Sequence, residues 1–434
     1  MPKKRVITAI DLGTEKCVTL IAVIDEESGD LKVVGVSAVP SKGMKRSMIV
    51  DLDLVLATVS QSLDAAERMA GFDVKSVYLS VSGTHVSSRN SKGVVAVAAP
   101  DQEITANDVE RVIEAARAIS LPADRKIMHV IPRDFKVDSQ EGIKDPVGMT
   151  GVRLESEAHI ITGMTASLRN LEKVVNDLGL DVDGFVFAGL SASEVVLTET
   201  EKELGAIVVD MGAGTTSLSV FIDGALEYSG AVPVGARHIT QDIALGCRIS
   251  LENAEKIKIL LSGEDFSPVK PQAGESKEDL TKRRKKADRL DLARHDIHEG
   301  VEELSKKFLL EGVMLPRMKE IFELIKKDLD KRDVLDKVPA GLILCGGGAQ
   351  TVGMIEIAKR VFNLPVRVGE PTDLQGLVGD IKGPSYATSI GLLLYGKNKI
   401  AVVPASGGMG SILESIDLKG IGDKIRGLLK SVLP

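Results

Sequence analysis

The sequence predicts an α/β protein that consists of two related lobes, and three stretches of residues support this fold class. Residues 207–221, IVVDMGAGTTSLSVF, run from an apolar segment through an aspartate and a glycine turn into an alternating segment. Residues 5–23, RVITAIDLGTEKCVTLIAV, follow the same pattern. A third apolar segment, GLILCGGG at residues 341–348, enters a glycine turn ahead of a helical pattern. Alternating apolar residues predict strands, and their mixture with helical patterns predicts an α/β architecture.

The two hairpins are in register with each other. Aligning Asp11 with Asp210 also places Gly13 on Gly212, about 200 residues further along the chain. We therefore predict an internal duplication in which each lobe contributes one β-hairpin. Glycine at each turn permits a positive φ or the close approach of another molecule.

Other segments predict helices and a separate subdomain. The predicted helices cover residues 51–70, 106–120 with Asn107 as the N-cap, 167–179, 250–261, roughly 289–330, and 351–362. Residues 82–162 alternate between strand and helix patterns, which suggests a subdomain. Residues 262–288 are polar and punctuated by proline and glycine, so we expect an exposed loop that leads into a charged helix.

Composition and charge exclude several classes of protein. The chain has 434 residues, too many for one core, and 44% hydrophobic with 27% charged residues is typical of globular proteins. A formal net charge of −7 argues against nucleic acid as a partner. Three separated cysteines give neither a disulfide framework nor a zinc site, and no apolar run approaches the ~18 residues of a membrane span. We find no signal peptide, so a cytoplasmic location is expected.

The paired turns suit a polyphosphate. Backbone N–H groups bind phosphate oxygens only where side chains do not obstruct them, which accounts for the glycines. Thr215 and Thr216 can add hydroxyl donors, and Lys16 can reach a phosphate oxygen. Asp11 and Asp210 would repel phosphate unless Mg²⁺ lay between, so we predict that they bind Mg²⁺ through its water ligands.

Each of these motifs has a simpler explanation when it is taken alone. An aspartate and a glycine after a strand usually form an ordinary hairpin turn, and Gly346–Gly348 alone would be a structural turn. The order of the motifs favours the functional interpretation, because two matched hairpins followed by a strand–glycine–helix unit seldom arise by chance. Gly346–Gly348 is then predicted to let a nucleoside approach the backbone.

Together the three motifs resemble the phosphate and adenosine motifs of the actin-like ATPase superfamily. The matching segments are residues 9–20, 207–221 and 342–353. Further segments resemble, more specifically, the FtsA family of bacterial cell-division proteins. They are HVIPRDFKVDSQEGIKDPVGMTGVRLESEAHIITG at 129–163, FAGLSASEVVLTETEKELG at 187–205, and AEKIK at 254–258. The resemblance extends from Arg5 to Gly396.

This resemblance implies an actin-like (ribonuclease-H-like) duplicated two-lobe α/β fold, with an FtsA-type subdomain inserted in the first lobe. The implied divisions are a first lobe at residues 1–82, 163–200 and 370–396, the inserted subdomain at 83–162, a second-lobe core at 201–237 and 331–369, its insertion at 238–330, a flexible linker at 397–417, and an amphipathic helix at 418–434.

The resemblance also implies that ATP and Mg²⁺ bind between the lobes. The implied nucleotide-binding residues are Asp11, Gly13, Thr14, Glu15, Lys16, Asp210, Gly212, Ala213, Gly214, Thr215, Thr216, Glu255, Lys258, Gly346, Gly347 and Gly348. Glu255 and Lys258 match positions that flank the nucleoside, although their spacing alone would suggest an exposed ion pair on a helix. Ala188 stands where related ATPases carry a Glu or Gln that orients water. We therefore assign no catalytic residue and expect slow hydrolysis at most.

The C-terminal residues LKGIGDKIRGLLKSVLP form an amphipathic pattern. Apolar residues gather on one face and basic residues lie outside it, as in helices that lie in the plane of an anionic membrane. The residues assigned to membrane contact are Leu418, Ile421, Lys424, Ile425, Leu428, Leu429, Lys430 and Val432. The alternative is a helix that packs on its own domain. The preceding PASGGMGS segment and the resemblance to FtsA favour the anchor.

The resemblance implies an adaptor that polymerises on the inner face of the cell membrane at the division site. Its implied partners are the C-terminal peptide of the tubulin-like protein FtsZ, further copies of itself, anionic lipid and later division proteins. Two alternatives stay open: a pilus-assembly adaptor of the PilM kind and, less favoured, a small-molecule kinase of the same superfamily. KRRKK at 282–286 is expected in a solvated loop, and His295 and His298 lack the further ligands that a metal site needs.

Overall fold

A computed structural model describes residues 5–25, 29–97, 103–264, 266, 269–295, 297–298, 303–371, 375–377 and 379–401 of the chain. The predicted amphipathic helix at 418–434 and the predicted linker beyond Ala401 lie outside these residues. Within them, no helix is both long enough and apolar enough to cross a membrane.

Nineteen strands and eleven α-helices form within the described part of the chain. The strands, in chain order, are β1 (Arg5–Leu12), β2 (Lys16–Ile24), β3 (Leu31–Pro40), β4 (Met44–Lys45), β5 (Met48–Ile49), β6 (Ser76–Val81), β7 (Ser87–Ala96), β8 (Arg125–Val137), β9 (Gln140–Ile143), β10 (Arg153–Met164), β11 (Asp181–Phe187), β12 (Ala206–Met211), β13 (Thr216–Ile222), β14 (Ala225–Val232), β15 (Arg289–Asp291), β16 (Glu303–Ser305), β17 (Gly341–Cys345), β18 (Val366–Val368) and β19 (Gln375–Gly376). The helices are α1 (Leu52–Ala70), α2 (Ala106–Arg117), α3 (Thr165–Asn176), α4 (Ala188–Val196), α5 (Glu199–Leu204), α6 (Arg237–Cys247), α7 (Leu251–Ser262), α8 (Lys277–Asp288), α9 (Leu315–Asp330), α10 (Met354–Phe362) and α11 (Ala387–Ala401).

The first lobe is built on a six-stranded sheet in the order β11-β6-β1-β2-β3-β19. Strand β1 runs antiparallel to β2 and parallel to β6. Alternate residues of β1 belong to different cores: Ala9 packs with residues of α11, and Ile10 packs with residues of α1. Because helices cover both faces of the sheet, the strand reads as a nearly continuous apolar run.

The second lobe repeats this arrangement, which confirms the predicted duplication. Its sheet has the order β14-β13-β12-β17-β18. Strand β12 is antiparallel to β13 and parallel to β17, as β1 is to β2 and β6. Strands β14 and β18 correspond in position and direction to β3 and β11. Both predicted hairpins, β1–β2 and β12–β13, are therefore present.

Helices α4 and α11 join the two lobes beneath the hairpin turns. One apolar core includes Ala9 of the first sheet, Val208 of the second and Ile390 of α11. A Cβ atom on Gly391 would lie 1.8 Å from the carbonyl oxygen of Ser191, so only glycine lets the two helices approach this closely. This shared core forms the floor of the cleft between the lobes.

The inserted subdomain is a four-stranded sheet, β7-β10-β8-β9, with helix α2 packed on one face. Helix α2 begins at Ala106, and its N-cap is Thr105 rather than the predicted Asn107. Thr105 and Asp108 form a reciprocal capping box that satisfies two backbone N–H groups, an arrangement that Asn107 cannot provide.

The structure corrects the helix predicted at 289–330. Strands β15 and β16 form a two-stranded ribbon within that range, and continuous helix begins only at Lys306, ahead of the π-helical segment Phe308–Met314 and α9. Leu290 and Leu292 are both buried while Asp291 between them is half-buried, which is strand alternation. The run KRRKK lies on helix α8, which has no buried residue, and not in the expected loop.

Helix α11 also changes one predicted boundary. It continues to Ala401, so the first residues of the linker predicted at 397–417 are helical.

Candidate functional site

A cavity of about 640 Å³ lies between the lobes, within the ~300–1,000 Å³ range of small-molecule sites. Both hairpin turns, the third glycine turn and helix α7 line it, together with the starts of α4 and α11. The predicted site residues that line it are Asp11, Gly13, Thr14, Glu15, Lys16, Asp210, Gly212, Ala213, Gly214, Thr215, Glu255, Lys258, Gly346, Gly347 and Gly348. The fold thus brings together three chain segments that are distant in sequence.

The two hairpin turns close in the same way. The N–H of Gly13 donates to the carbonyl oxygen of Lys16 at 3.0 Å, and the N–H of Gly212 donates to that of Thr215 at 3.0 Å. Because Gly13 and Gly212 have no side chain, the backbone of each turn is not covered at these positions. Backbone groups of both lobes can therefore face a common ligand.

Thr216 differs from the other predicted residues. Its side chain is fully buried, and its hydroxyl donates to the carbonyl oxygen of Val234 at 2.8 Å. Thr216 is paired with Met211 at the base of the hairpin, one step beyond the turn. It does not line the cavity, and its hydroxyl already has a partner.

Two half-buried carboxylates, one from each lobe, lie close enough in the cleft for their charges to interact. Asp11 accepts hydrogen bonds from Ser80 at 2.6 Å and from Ser389 at 3.3 Å, and Asp210 accepts one from Thr388 at 3.1 Å. Burial raises the pKa of Asp11. Burial, with the nearby charge of Asp11, raises the pKa of Asp210 to about 7. A half-buried pair of this kind is stabilised in its ionised form by a cation between the two groups.

Lys16 supplies positive charge to the same cavity. Its Nζ lies 3.7 Å from the ring centre of Tyr386. Burial lowers its pKa, while the charges of Asp11 and Asp210 act in the opposite direction. The ammonium group is therefore held inside the cleft, close to both carboxylates.

The third glycine turn is shaped by its approach to Asp210. Gly346 has a φ of 79°, and a Cβ atom there would lie 2.5 Å from Oδ1 of Asp210. A Cβ atom on Gly347 would meet no atom within 4 Å, so this glycine borders open space. Glycine is required at Gly346 by conformation and crowding, and at Gly347 it leaves room for a ligand.

Glu255 and Lys258 form an ion pair at 2.8 Å, but the pair is not an exposed one. The Lys258 side chain is only 9% exposed, and its Nζ also donates to Oγ1 of Thr240 at 3.2 Å. Thr240 donates in turn to the carboxylate of Glu255. The alternative of a solvated surface pair is therefore wrong, and both residues belong to the cavity wall.

Sequence reasoning missed several residues of the cavity. Ser80, one residue before the end of β6, and Thr388, in the first turn of α11, line the cavity and donate to Asp11 and Asp210. Ser389, the next residue of α11, donates to Asp11 from beside the cavity. Ser47 and Ser82 also line the cavity. Their only sequence signal is a small hydroxyl residue at the end of an element, which is too common to identify a site.

The remaining predictions concern hydrolysis and metals. Ala188 lines the cavity at the start of α4, where it presents a methyl group, and Glu194 of that helix is not among the lining residues. Within the described ranges, no group of three or more His, Cys, Asp or Glu side chains could hold a metal ion. Beside the Glu255–Lys258 ion pair, the cavity lining offers the carboxylates of Asp11 and Asp210, the ammonium group of Lys16 and the backbone N–H groups of three glycine turns. This set fits a polyphosphate whose Mg²⁺ is held through water.

Two family models match the sequence. One, described as the SHS2 domain inserted in FTSA, matches residues 83–162. The other, described as cell division protein FtsA, matches residues 207–391. The first match coincides with the inserted subdomain, and the second extends from the second-lobe hairpin into α11.

Relatives among characterised proteins match almost the whole chain. Cell division protein FtsA of Pseudomonas aeruginosa (strain PAO1) is 36% identical over 402 residues, which cover 91% of this chain and 90% of that protein. FtsA of Borreliella burgdorferi (strain B31) is 36% identical over 400 residues, with 90% and 91% covered. FtsA of Escherichia coli (strain K12) is 34% identical over 408 residues, with 91% of each covered.

Solved structures share the fold at low sequence identity. The PilM–PilN type IV pilus biogenesis complex superposes with a TM-score of 0.60 and 14% identity, covering 90% of this chain and 98% of that chain. MreB 5 of Spiroplasma citri bound to AMPPNP gives a TM-score of 0.50 and 14% identity, covering 92% and 98%. At such identities the likeness concerns the fold alone, and it confirms the actin-like class.

Proposed function

Because the chain belongs to the FtsA family of cell-division proteins, we propose that it is an ATP-binding adaptor that polymerises on the inner face of the cytoplasmic membrane and tethers FtsZ filaments there during septum formation. Nucleotide binding is supported by one observation above all: the Asp11 turn and the Asp210 turn line the same cavity. Its relatives are named as cell-division proteins over nearly their full length, which supports the cellular role.

The proposed cofactors are ATP and Mg²⁺. The two glycine turns supply backbone donors to the phosphates, and Lys16 supplies a positive charge. Asp11 and Asp210 hold Mg²⁺ through its water ligands, and the Gly346–Gly348 turn with the Glu255–Lys258 pair flanks the nucleoside. Mg²⁺ neutralises phosphate charge when it is bound. A nucleotide that contacts both lobes stabilises the folded protein by mass action.

Thermal unfolding of the full chain tests this site. We expect Mg²⁺ with ATP to raise the midpoint of unfolding, and Mg²⁺ or ATP alone to raise it less. At a ligand concentration of 100 times Kd the gain is about 2.7 kcal/mol. Unchanged unfolding at millimolar Mg²⁺ and ATP would contradict nucleotide binding.

We propose that hydrolysis is slow, because Ala188 offers no group that could orient an attacking water. ATP turnover in the presence of lipid and FtsZ is expected to stay below about 1 s⁻¹, which is the lower end of the range for ordinary enzymes. Ala188→Gln introduces an amide at this position and should raise turnover. Glu194→Gln is the matched control on the same helix, outside the cavity lining, and should leave turnover unchanged. Wild-type turnover above 1 s⁻¹ would overturn the proposal.

The membrane part rests on the amphipathic pattern of residues 418–434, with positive charge beside the apolar face. Basic residues near an anionic surface contribute about 1 kcal/mol each. Removing Ile421–Pro434 should abolish co-sedimentation with liposomes that contain anionic lipid. Leu428→Glu should weaken it strongly, whereas Leu245→Glu, at a side chain that is 78% exposed in the second lobe, should not. Undiminished pelleting of the truncated chain would refute the anchor.

The partner part concerns FtsZ and self-association. We propose that the second-lobe insertion at 238–330 binds the C-terminal peptide of FtsZ, and that the lobes form head-to-tail filaments through contacts that do not close. Fluorescence anisotropy with the labelled FtsZ peptide, against a scrambled peptide, measures the peptide interaction.

Electron microscopy on lipid monolayers with ATP, with and without the last fourteen residues, tests filament formation. Many weak anchors on one filament would bind the membrane by avidity.

A pilus-assembly adaptor is the alternative that the fold leaves open, since the PilM–PilN complex superposes on the chain. The matched SHS2 insertion and the FtsA relatives favour the division role. Binding of the chain to anionic liposomes and to the FtsZ peptide is expected for the division adaptor and not for the pilus-assembly adaptor. A phosphoryl-transfer screen against small molecules addresses the kinase alternative, for which no separate substrate cleft or base stands out in the described cavity lining.

A further inference from the structure

Four hydroxyl groups meet between the two glycine turns, and two of them have no role in the nucleotide site described above. The N–H of Ser47 donates to Oγ1 of Thr14 at 3.1 Å, and its own hydroxyl lies 2.7 Å from Oγ1 of Thr215. Oγ of Ser82 lies 3.2 Å from the same Thr215 oxygen and 3.5 Å from Oγ of Ser47. All four residues line the cavity, and we call Thr14, Ser47, Ser82 and Thr215 the hydroxyl cluster.

Ser47 is brought to this place by an unusual hairpin. Strands β4 and β5 are joined by Arg46 and Ser47, which have φ of 49° and 59°, a conformation that non-glycine residues rarely adopt. The tip presses against the opposite lobe: a Cβ atom on Gly214 would lie 3.0 Å from Cα of Arg46 and 2.8 Å from Oγ1 of Thr14. A tight turn in a disfavoured conformation, fitted against a glycine of the other lobe, places Ser47 at the cavity rather than at the surface.

The chemistry of the cluster suits one part of a nucleotide. Each hydroxyl has one proton to donate. The hydroxyls of Ser47, Ser82 and Thr215 lie within hydrogen-bonding distance of one another, and Oγ of Ser82 also lies 3.1 Å from Oγ of Ser217. Phosphoryl oxygens accept hydrogen bonds and donate none when ionised, and a charged acceptor gives stronger bonds than a neutral hydroxyl. A terminal phosphoryl group offers three such oxygens, and a nucleoside diphosphate offers one phosphoryl group fewer.

Resting on the proposed nucleotide site, we propose that Ser47 and Ser82 determine specificity for the triphosphate over the diphosphate. Thr14 and Thr215 belong to the turns that bind phosphate in either nucleotide. Ser47 and Ser82 reach between the turns from separate elements and donate only when the terminal phosphoryl group is present. The β4–β5 hairpin therefore differs in its hydrogen bonding between the two nucleotide states, and its outer residues Met48 and Val50 are exposed.

The competing explanation is that the cluster only ties the lobes together. In that case, removing a hydroxyl would weaken both nucleotides by a similar factor, because both need the same closed cleft. The ratio of the two affinities therefore separates specificity from a purely structural role.

Equilibrium binding of AMPPNP and ADP to the full chain with Mg²⁺ measures this ratio. We expect Ser47→Gly and Ser82→Ala each to reduce AMPPNP affinity by about five- to tenfold, with ADP affinity changed less than about twofold. Glycine at 47 removes the hydroxyl and keeps the left-handed conformation available. Met48→Ala, on the same hairpin and away from the cavity, is the control and should change neither affinity.

A second measurement does not depend on affinity. Hydrogen exchange over residues 44–50 of the wild-type chain should differ between the AMPPNP-bound and ADP-bound states, and Ser47→Gly should reduce that difference. Equal loss of both affinities, or no loss of either, would overturn the proposal while leaving the nucleotide site intact. If the wild-type chain binds neither nucleotide, the proposed function fails first and this inference fails with it.

Discussion

Each lobe contributes a hairpin turn of the same backbone geometry to the cavity, but the two turns carry different side chains. Both turns close through one backbone hydrogen bond of 3.0 Å. At matched positions, the first lobe carries Glu15 and Lys16 where the second carries Gly214 and Thr215. Glu15 is exposed and pairs with Arg237 at 3.2 Å, whereas Gly214 is packed against the hairpin tip of the other lobe. The backbone donors are therefore duplicated, while at these two positions the first-lobe turn adds charged side chains and the second-lobe turn leaves space for the hairpin tip.

The sharpest test of this difference is a side chain at Gly214. Gly214→Val places atoms where Oγ1 of Thr14 lies 2.8 Å and Cα of Arg46 lies 3.0 Å from the position of a Cβ atom. The tip must move out of the cleft, so we expect ATP affinity to fall at least ~100-fold, on the order of 3 kcal/mol. Calorimetric titration with Mg²⁺ and ATP measures the effect.

The matched position in the first lobe is the control for that experiment. Glu15 lines the cavity, but its exposed carboxylate is paired with Arg237. Glu15→Ala removes that pair and adds no bulk, so ATP affinity should change less than about threefold. Similar losses of ATP affinity in Gly214→Val and Glu15→Ala would contradict the view that the second-lobe turn, and not the first, must stay free of a side chain.

A second contrast concerns the residues at the next matched positions. Lys16→Met removes the only ammonium group of the first turn and should reduce ATP affinity about 30-fold, because bonds between charged groups are the strong ones. Thr215→Val keeps the shape of the side chain and removes one hydroxyl, for an expected loss of about fivefold. Isothermal titration at two salt concentrations should find a weaker salt dependence of ATP affinity in Lys16→Met than in the wild type. A larger loss of ATP affinity for Thr215→Val than for Lys16→Met would contradict the view that Lys16 makes the stronger contact with the phosphates.

The two aspartates should behave alike, since each lobe places one half-buried carboxylate in the cavity lining. In the absence of ligand, Asp210→Asn or Asp11→Asn relieves the cost of burying two carboxylates, so the free energy of unfolding should rise by about 1 kcal/mol. The same variants should lose the extra stabilisation that Mg²⁺ gives with ATP. Urea unfolding, with and without Mg²⁺ and ATP, reports both effects. A variant that is destabilised without ligand would contradict the view that the pair is held at a cost.

The inserted subdomain is also held by both lobes, through one buried histidine on each side. His129 accepts a hydrogen bond from the N–H of Phe187 at 3.1 Å, in the first lobe. His159 lies 3.0 Å from Oγ of Ser229, in the second lobe, and 2.6 Å from Oδ1 of Asn90. Burial is the main reason that the pKa of each falls to about 3. Each ring is therefore neutral, and protonation would break the bond in which it is the acceptor.

These two histidines make the smallest predicted effect. Below a pH of about 6.5 the unfolded chain binds protons that the folded chain does not, so stability falls as the pH drops from 6.5 towards 3. Each histidine should lower the free energy of unfolding by about 1 kcal/mol at pH 5.5 relative to pH 7. Denaturant unfolding of His159→Gln should show a shallower pH dependence than the wild type, and His129→Gln should match it. An unchanged slope in both variants would show that other groups govern acid stability.

Much of the fold and of the site followed from patterns in the sequence. Strand alternation and the matched Asp11 and Asp210 turns predicted the duplication, because a strand buried on both faces and a glycine turn leave strong local signals. Gly346 was predicted for the same reason. Each of these features is encoded within a dozen neighbouring residues.

The parts that were missed depend on contacts between distant segments. Thr388 and Ser389 hold the carboxylates only because α11 starts beneath both lobes. Ser47 reaches the cleft only because a two-residue turn adopts a left-handed conformation against Gly214. Thr216 was included because spacing cannot separate a turn residue from the first paired residue of a strand. Tertiary packing decides each of these cases.

Both glycine turns should contact one polyphosphate, and a structure of the full chain with Mg²⁺ and AMPPNP would show whether they do. We expect phosphate oxygens within hydrogen-bonding distance of backbone N–H groups in both the Gly13 and the Gly212 turns, with Mg²⁺ between Asp11 and Asp210. Phosphates that contact only one turn, or a nucleotide bound outside the cleft, would contradict it.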